Sequence, residues 1–298
     1  MTLRTRFAPA PTGFLHLGHV VNAAYVWGVA RAAGGQVRLR IEDHDRQRSR
    51  AEYERAILDD LDWLGFSPDH PSTDAFRRGP CDGRQSDREE IYQRALGELR
   101  SRGLVYACEC SRRALADADE PGGERRYPGT CAEKHLPERP GLGLRVRLQP
   151  GVERFVDLVH GPQEQQPVRQ SGDLLVRDRD GNWTYQFAVS VDDLADRITL
   201  VIRGDDLLPS TGRQIQLARL LGRAEPARFL HHPLVMKTPG QKLSKSDGDT
   251  GIRELRARGW SAADVIGQAA ALAALVEAPR PIPASQVAEL LVGRVRLP

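Results

Sequence analysis

The chain has 298 residues, 40% hydrophobic and 28% charged, the composition of a soluble globular protein with room for one large domain and a smaller one. Its 43 Lys+Arg against 40 Asp+Glu leave a net charge of +3, which permits a nucleic-acid partner but excludes a protein that coats nucleic acid by charge alone. No apolar run could cross a bilayer, the opening MTLRTRFAPAPTG lacks a signal peptide's apolar core, and four cysteines are too few for a disulfide framework, so the cytoplasm is expected.

Residues 4–8 (RTRFA) read as a short strand, followed by the turn-rich link PAPTG. From Gly18 to Ala33 the pattern is helical, with Gly34-Gly35 as the stop. In QVRLRIE, Val37, Leu39 and Ile41 alternate with charged residues, the mark of a strand, and the three elements together predict a βαβ unit with parallel strands. Helices are expected from Arg50 to Leu64, stopped by Gly65, and from a Ser86/Glu89 capping box to Gly103. Residues 104–185 change character, with short strands (LVYAC, LRVRL, FVDLVHG) around a cysteine cluster and a Pro/Gly-rich stretch. DLLVRDRDGNWTYQFAV reads as a hairpin turning at Asp180-Gly181, ITLVIR as a buried strand, 211–222 as a helix and FLHHPLV as a further strand. A Ser261/Asp264 capping box opens a last alanine-rich helix, and Pro279, Pro281 and Pro283 precede a short final helix. The layout predicts an α/β nucleotide-binding domain split into 1–103 and 186–250 by an inserted α+β module (104–185), with a helical extension over 251–298.

Two segments carry chemistry. PAPTGFLHLGH lies between the first strand and first helix, where an open α/β sheet binds ligands and a helix N-terminus attracts phosphate. Gly13 and Gly18 allow close backbone approach, and His16 and His19 share one face of the first helical turn, suited to a triphosphate. Taken alone, an H-x-G-H can simply cap a helix. Far downstream, KTPGQKLSKSDG holds Lys237, Lys242 and Lys245, three of the four lysines in an arginine-rich chain. Lysine offers a compact charge for a departing phosphate group.

Cys108, Cys110 and Cys131 lie within 24 residues. Three close thiols in a reducing compartment favour zinc, which takes four tetrahedral ligands. The spacing alone leaves the fourth open, with His135 and Cys81 as candidates, and three metal-free buried thiols as the alternative.

HLGH and KLSKS resemble the paired HIGH and KMSKS sequences of class I aminoacyl-tRNA synthetases, and RFAPAPTGFLHLGH, LRIEDHDR, TYQFAVSVDD and VIRGDDLLPST resemble the glutamyl branch. These matches run in order through most of residues 4–250. The resemblance implies a Rossmann-like class I catalytic domain that uses ATP, with its Mg²⁺, to make an aminoacyl-adenylate. It assigns catalysis to His16, His19, Lys242 and Lys245, and ATP binding to His16, Gly18, His19 and Lys245. It assigns glutamate binding to Arg6, Phe7, Ala8, Pro9, Ala10, Glu42, Tyr185 and Arg203. The chemistry agrees: two carboxylates need cations, the ammonium needs Glu42, and Tyr185 adds a hydroxyl. Asp43 and Asp45 are further carboxylates able to recruit Mg²⁺. The same branch has a Cys-x-Cys…Tyr-x₃-Cys structural zinc site, which makes Tyr127 the fourth ligand. About 50 residues follow Lys245, too few for an anticodon-binding domain. That resembles the short relatives that activate glutamate without tRNA and attach it to the queuosine base of tRNA(Asp), acting on the anticodon stem-loop, with a monomer expected. A truncated synthetase for tRNA(Glu) and a non-catalytic tRNA-binding paralogue are the alternatives.

Overall fold

The computed structural model describes residues 2–111, 126–238, 241–242 and 251–295. Strand β1 (Arg4–Phe7) leads into helix α1 (Leu17–Ala32) and back to β2 (Gln36–Leu39), and β1 and β2 pair in parallel as the alternation predicts. Helix α2 (Ala51–Leu64) buries Ile57, Leu58, Leu61 and Leu64 on one face. It ends on Gly65 at φ +82°, a left-handed position that glycine adopts without steric penalty. A short α3 (Thr73–Arg77) follows, then α4 (Glu89–Ser101).

The expected Ser86/Glu89 capping box does not form. Ser86 lies in a tight 3₁₀ turn over Gln85–Asp87, its backbone N–H donates to Asp43 Oδ1 at 2.8 Å, and the helix starts only at Glu89.

Beyond it come β3 (Val105–Cys108), β4 (Gly143–Val146), β5 (Glu153–Asp157), β6 (Gly161–Gln165), α5 (Pro167–Ser171) and β7 (Leu174–Arg177). FVDLVHG therefore spans two strands of a hairpin. The next segment differs from its expected hairpin partner: after a turn at Asp178–Gly181 and a single bridge from Trp183 to Arg177, the chain becomes helix α6 (Tyr185–Ala195). Then follow β8 (Leu200–Gly204), α7 (Thr211–Leu220), β9 (Arg228–His232), the small ribbon β10 (Met236–Thr238) and β11 (Gln241–Lys242), α8 (Ile252–Ala257) and α9 (Ala262–Leu272). Ser261 and Asp264 form the predicted capping box on α9. The expected final helix is only a 3₁₀ turn over Ala284–Gln286 followed by further turns. Among the described residues no helix is long and apolar enough to cross a membrane.

The strands make two layers of use. One sheet runs β6-β5-β9-β8, with β5, β9 and β8 parallel. Thr199, just before β8, donates its N–H to Arg4 O at 2.9 Å, which sets β8 beside β1 and brings the two parallel groups together. The β5–β6 hairpin thus joins the strands that follow it in sequence, although it lies within residues 104–185. A separate antiparallel sheet, β3-β4-β7, stands apart. Each sheet has its own core: α1, α2, α8 and α9 bury against the parallel strands, whereas α4, α6 and α7 cover β3-β4-β7 around Tyr92, Leu96, Phe187 and Leu217.

Candidate active site

At the start of α1, His16 is the N-cap: its Nδ1 accepts from the Gly18 N–H at 3.1 Å, while His19 Nδ1 accepts from the His16 N–H at 3.1 Å. Two imidazoles thus form a reciprocal cap, with ring centroids 4.0 Å apart. With Nδ1 accepting, each neutral ring carries its hydrogen on Nε2. A Cβ on Gly18 would sit 2.9 Å from His16 Cε1, so a larger residue there would have to displace the ring from its cap. The first turn has no acidic side chain to offset its exposed N–H groups. Upstream, Phe7 O accepts from Arg40 N–H and Pro9 O from Glu42 N–H, which carries the β1–β2 ladder along Phe7, Ala8, Pro9 and Ala10 to the motif.

Lys245 lies outside the described residues, and Lys242 is the last residue of β11. The chain re-enters at Gly251, which bridges antiparallel to His16, and the Ile252 N–H donates to Leu15 O at 3.1 Å. Arg253 places its guanidinium 4.4 Å from the Phe14 ring. The segment that follows the lysine loop is therefore bonded to the histidine motif.

Arg6, Glu42, Tyr185 and Arg203 converge from β1, the segment after β2, the start of α6 and β8. Burial raises the Tyr185 phenol, and Arg203, Glu42 and Arg6 all act on it through space. Burial likewise raises the Glu42 carboxyl against the pull of Arg40 and His44. The two arginines differ. Arg6 Nε pairs with Asp193 at 3.1 Å, and its Nη1 donates to Ile202 O. Arg203 is 3% exposed, and it donates only to neutral groups among the described residues: His231 Nε2 (2.9 Å), Gln214 Oε1 (2.7 Å), Thr211 Oγ1 (2.8 Å) and Leu207 O (3.3 Å). Among the described residues it forms no ion pair, and burial holds its guanidinium below the ordinary value.

Tyr185 lines a cleft of about 870 Å³ together with His44, Asp45, Arg48, Cys108 and Cys110. His44 shares a hydrogen bond with Gln85 Oε1 at 2.7 Å, and its ring centroid is 6.1 Å from that of Tyr185. Asp45 pairs with Arg48 at 2.6 Å, and Asp43 accepts from Ser86, so both carboxylates are engaged.

Beside the cleft, the Cys108, Cys110 and Cys131 sulfurs lie within 4.8 Å of one another. Tyr127 Oη is 3.6 Å from Cys108 Sγ, and Cys110 and Cys131 Sγ are 3.6 Å apart. Zinc–sulfur bonds of about 2.3 Å in a tetrahedron separate sulfurs by about 3.8 Å, so the cluster fits zinc. Burial drives Cys110 up to about 12, while Cys108 stays below its usual value, its burial outweighed by Arg145, whose Nε donates to the sulfur at 3.3 Å. His135 is exposed and Cys81 is buried in the other core, so neither joins the group.

Residues 2–266 match the family described as tRNA synthetases class I (E and Q), catalytic domain. This chain belongs to that family. A glutamyl-Q tRNA(Asp) synthetase of Symbiobacterium thermophilum is 42% identical, covering 98% of this chain and 95% of that protein. A second protein of the same name, from Nitratidesulfovibrio vulgaris, is 41% identical over 92% of this chain and 87% of its own length. A glutamate–tRNA ligase 2 of Acidithiobacillus ferrooxidans is 40% identical over 88% of this chain but only 56% of its own length. Among solved structures, a glutamate-tRNA synthetase from Elizabethkingia anophelis superposes with TM-score 0.78 at 27% identity; the chain covers 65% of that longer protein. The chain is thus a ligase of the class I aminoacyl-tRNA synthetase kind.

Within this synthetase, sequence reasoning missed the buried ion-pair network at the end of α6. Arg40, fully buried, pairs with Asp193 (2.8 Å) and Asp196 (2.9 Å), and Arg88 pairs with Asp192 (2.6 Å) and Asp196. Tyr92 and Gln85 also donate to Asp192. Asp192 and Asp193 sit on the last turn of α6 and Asp196 is its C-cap, so the three carboxylates share the end of the helix that faces the arginines. The only sequence signal was the Asp pair in TYQFAVSVDD. His44, also unassigned from sequence, sits in LRIEDHDR.

Proposed function

We propose that this chain activates L-glutamate with ATP, without needing tRNA, and transfers the glutamyl group to the queuosine base at the wobble position of tRNA(Asp). The observation that carries this reading is Arg203: a buried guanidinium with neutral hydrogen-bond partners, beside the Tyr185 that lines the cleft, is a socket that a substrate carboxylate would complete. Arg6 serves the other carboxylate, Glu42 the ammonium, and the 7–10 backbone lines the approach. ATP lies across the α1 N-terminus, with Gly18 allowing close approach. A glutamate carboxylate oxygen attacks the α-phosphorus and pyrophosphate leaves, giving glutamyl-adenylate. His16 and His19 donate from Nε2 to the triphosphate, and Lys242 and Lys245, with Mg²⁺ carried by ATP, balance the departing charge. The names of the relatives at 41–42% identity support the acceptor.

Cys108, Cys110, Tyr127 and Cys131 would hold one structural zinc, which when bound ties β3 to the segment around Tyr127. That set borders the cleft, where an anticodon stem-loop could be presented to the adenylate.

ATP–pyrophosphate exchange with glutamate and no tRNA tests the first half; exchange at background level for folded protein removes the enzymatic reading and leaves a tRNA-binding paralogue. The match to a glutamate–tRNA ligase favours a second acceptor, the 3′ end of tRNA(Glu). Labelled-glutamate transfer to tRNA(Asp) with and without queuosine, against tRNA(Glu), separates the two. Transfer to tRNA(Glu) alone rejects the queuosine acceptor.

A further inference from the structure

Asp157, His231 and Arg203 stand side by side near the carboxyl ends of three neighbouring parallel strands, β5, β9 and β8. His231 and Arg203 are register partners. All three side chains are buried, at 1%, 0% and 3% exposure. Asp157 Oδ2 accepts from the His231 backbone N–H (3.1 Å) and lies 2.7 Å from His231 Nδ1. Its Oδ1 accepts from the Val159 and His160 N–H groups at 2.9 and 3.0 Å. These donors favour the ionised carboxylate, and they outweigh the opposing effect of its burial.

An ionised Asp157 can only accept, so His231 must donate through Nδ1, and a neutral ring then presents a lone pair at Nε2. Burial holds the ring in that neutral form. Arg203 Nε–H donates to this nitrogen at 2.9 Å. The other tautomer, or the imidazolium, would set N–H against N–H. Asp157 thus fixes the tautomer, and the tautomer fixes the guanidinium plane. Phe229, stacked on His231 with centroids 6.0 Å apart and planes 10° from parallel, limits ring rotation.

We propose that His231 and Asp157 are positioning residues that aim Arg203 at a substrate carboxylate and thereby set the preference for glutamate over its uncharged amide, glutamine. The inference rests on the reading of Arg203 as a glutamate contact. In the neighbouring case, Arg6 is held by a direct carboxylate, Asp193. Arg203 is instead oriented through a neutral imidazole, which leaves its charge available to a ligand.

The test is ATP–pyrophosphate exchange on the full chain with glutamate and glutamine, using Arg203→Ala, His231→Leu, His231→Gln and the near-isosteric Asp157→Asn, each checked for folding by thermal melting. His231→Leu and Asp157→Asn are expected to raise the glutamate KM on the order of 10–100-fold and narrow the glutamate-to-glutamine ratio, with the ATP KM unmoved. His231→Gln, which keeps an acceptor toward Arg203 and a donor toward Asp157, is expected to recover most of the loss. Equal rises in both KM values, no rise, or a Gln variant no better than Leu would overturn the positioning role. If Leu does not fold, Asp157→Asn and His231→Gln decide it by the same readouts. An unchanged glutamate KM in Arg203→Ala would instead remove the underlying reading of Arg203.

Discussion

The arginine–carboxylate network at the end of α6 and the thiol cluster beside the cleft are both buried groups of ionisable side chains, yet the protein completes them differently. In the network Asp192, Asp193 and Asp196 each meet the guanidinium of Arg40, just past β2, or of Arg88, the N-cap of α4, so attraction and hydrogen bonds offset the cost of desolvation within the chain. In the cluster, three thiols and a phenol converge, and among the described residues Arg145 donates to a sulfur while Lys134 acts on two others through space. A set complete in itself holds two elements together. A set that lacks its counter-charge points to something bound. On the proposed reading Arg203 belongs to the second kind.

The largest expected effect breaks the first half of this comparison. Arg40→Ala leaves Asp193 and Asp196 short of a partner in the interior, and is expected to cost about 3–5 kcal/mol in denaturant unfolding. A loss under about 1 kcal/mol would mean that the network does not tie α6 to β2. Next, Cys131→Ser sharpens the second half. Zinc affinity, followed by metal analysis after dialysis against a chelator series, is expected to fall at least on the order of 100-fold, with the α1 side of the molecule still folded. Wild-type protein that carries no zinc after growth in zinc-replete medium would contradict it.

The smallest effect concerns a buried carboxyl that belongs to neither set. Asp60 on α2 is 3% exposed, its Oδ2 has no hydrogen-bond partner among the described residues, and burial pushes its carboxyl up to about 7. The folded state therefore holds a proton that the unfolded chain releases near pH 4, so this contribution is full in acid and is lost as pH rises through about 7. Asp60→Asn, neutral throughout, is expected to melt on the order of 2–4 °C above wild type at pH 8 and near it at pH 5. An equal shift at both pH values would assign the effect to packing.

Much of the first βαβ unit was legible in sequence, because Val37, Leu39 and Ile41 alternate and Gly34-Gly35 and Gly65 punctuate the helices. TYQFAVSV misled. Tyr185, Phe187, Val189 and Val191 alternate like a strand, but α6 is buried around most of its surface, and the acids that would mark a solvent face turn inward to arginines. Buried ion pairs erase the polar stripe on which helix periodicity depends. Ser86 failed as a cap for a related reason: Asp43, remote in sequence, takes its N–H. The convergence of Arg6, Glu42, Tyr185 and Arg203 came from family resemblance, since spacing could not supply it. The tie from Asp157 through His231 was invisible, being made across strands by residues that look ordinary where they stand.

The paired imidazoles at the head of α1 have a consequence for how the enzyme is assembled. They occupy the places that a serine and a glutamate usually fill at a helix start, so winding the first turn and arranging the two rings are one event. This helix is also among the most deeply packed in the molecule. On the proposed reading, that half of the triphosphate cradle is inherited from the folding of the core, with no separate ordering step left for substrate to drive.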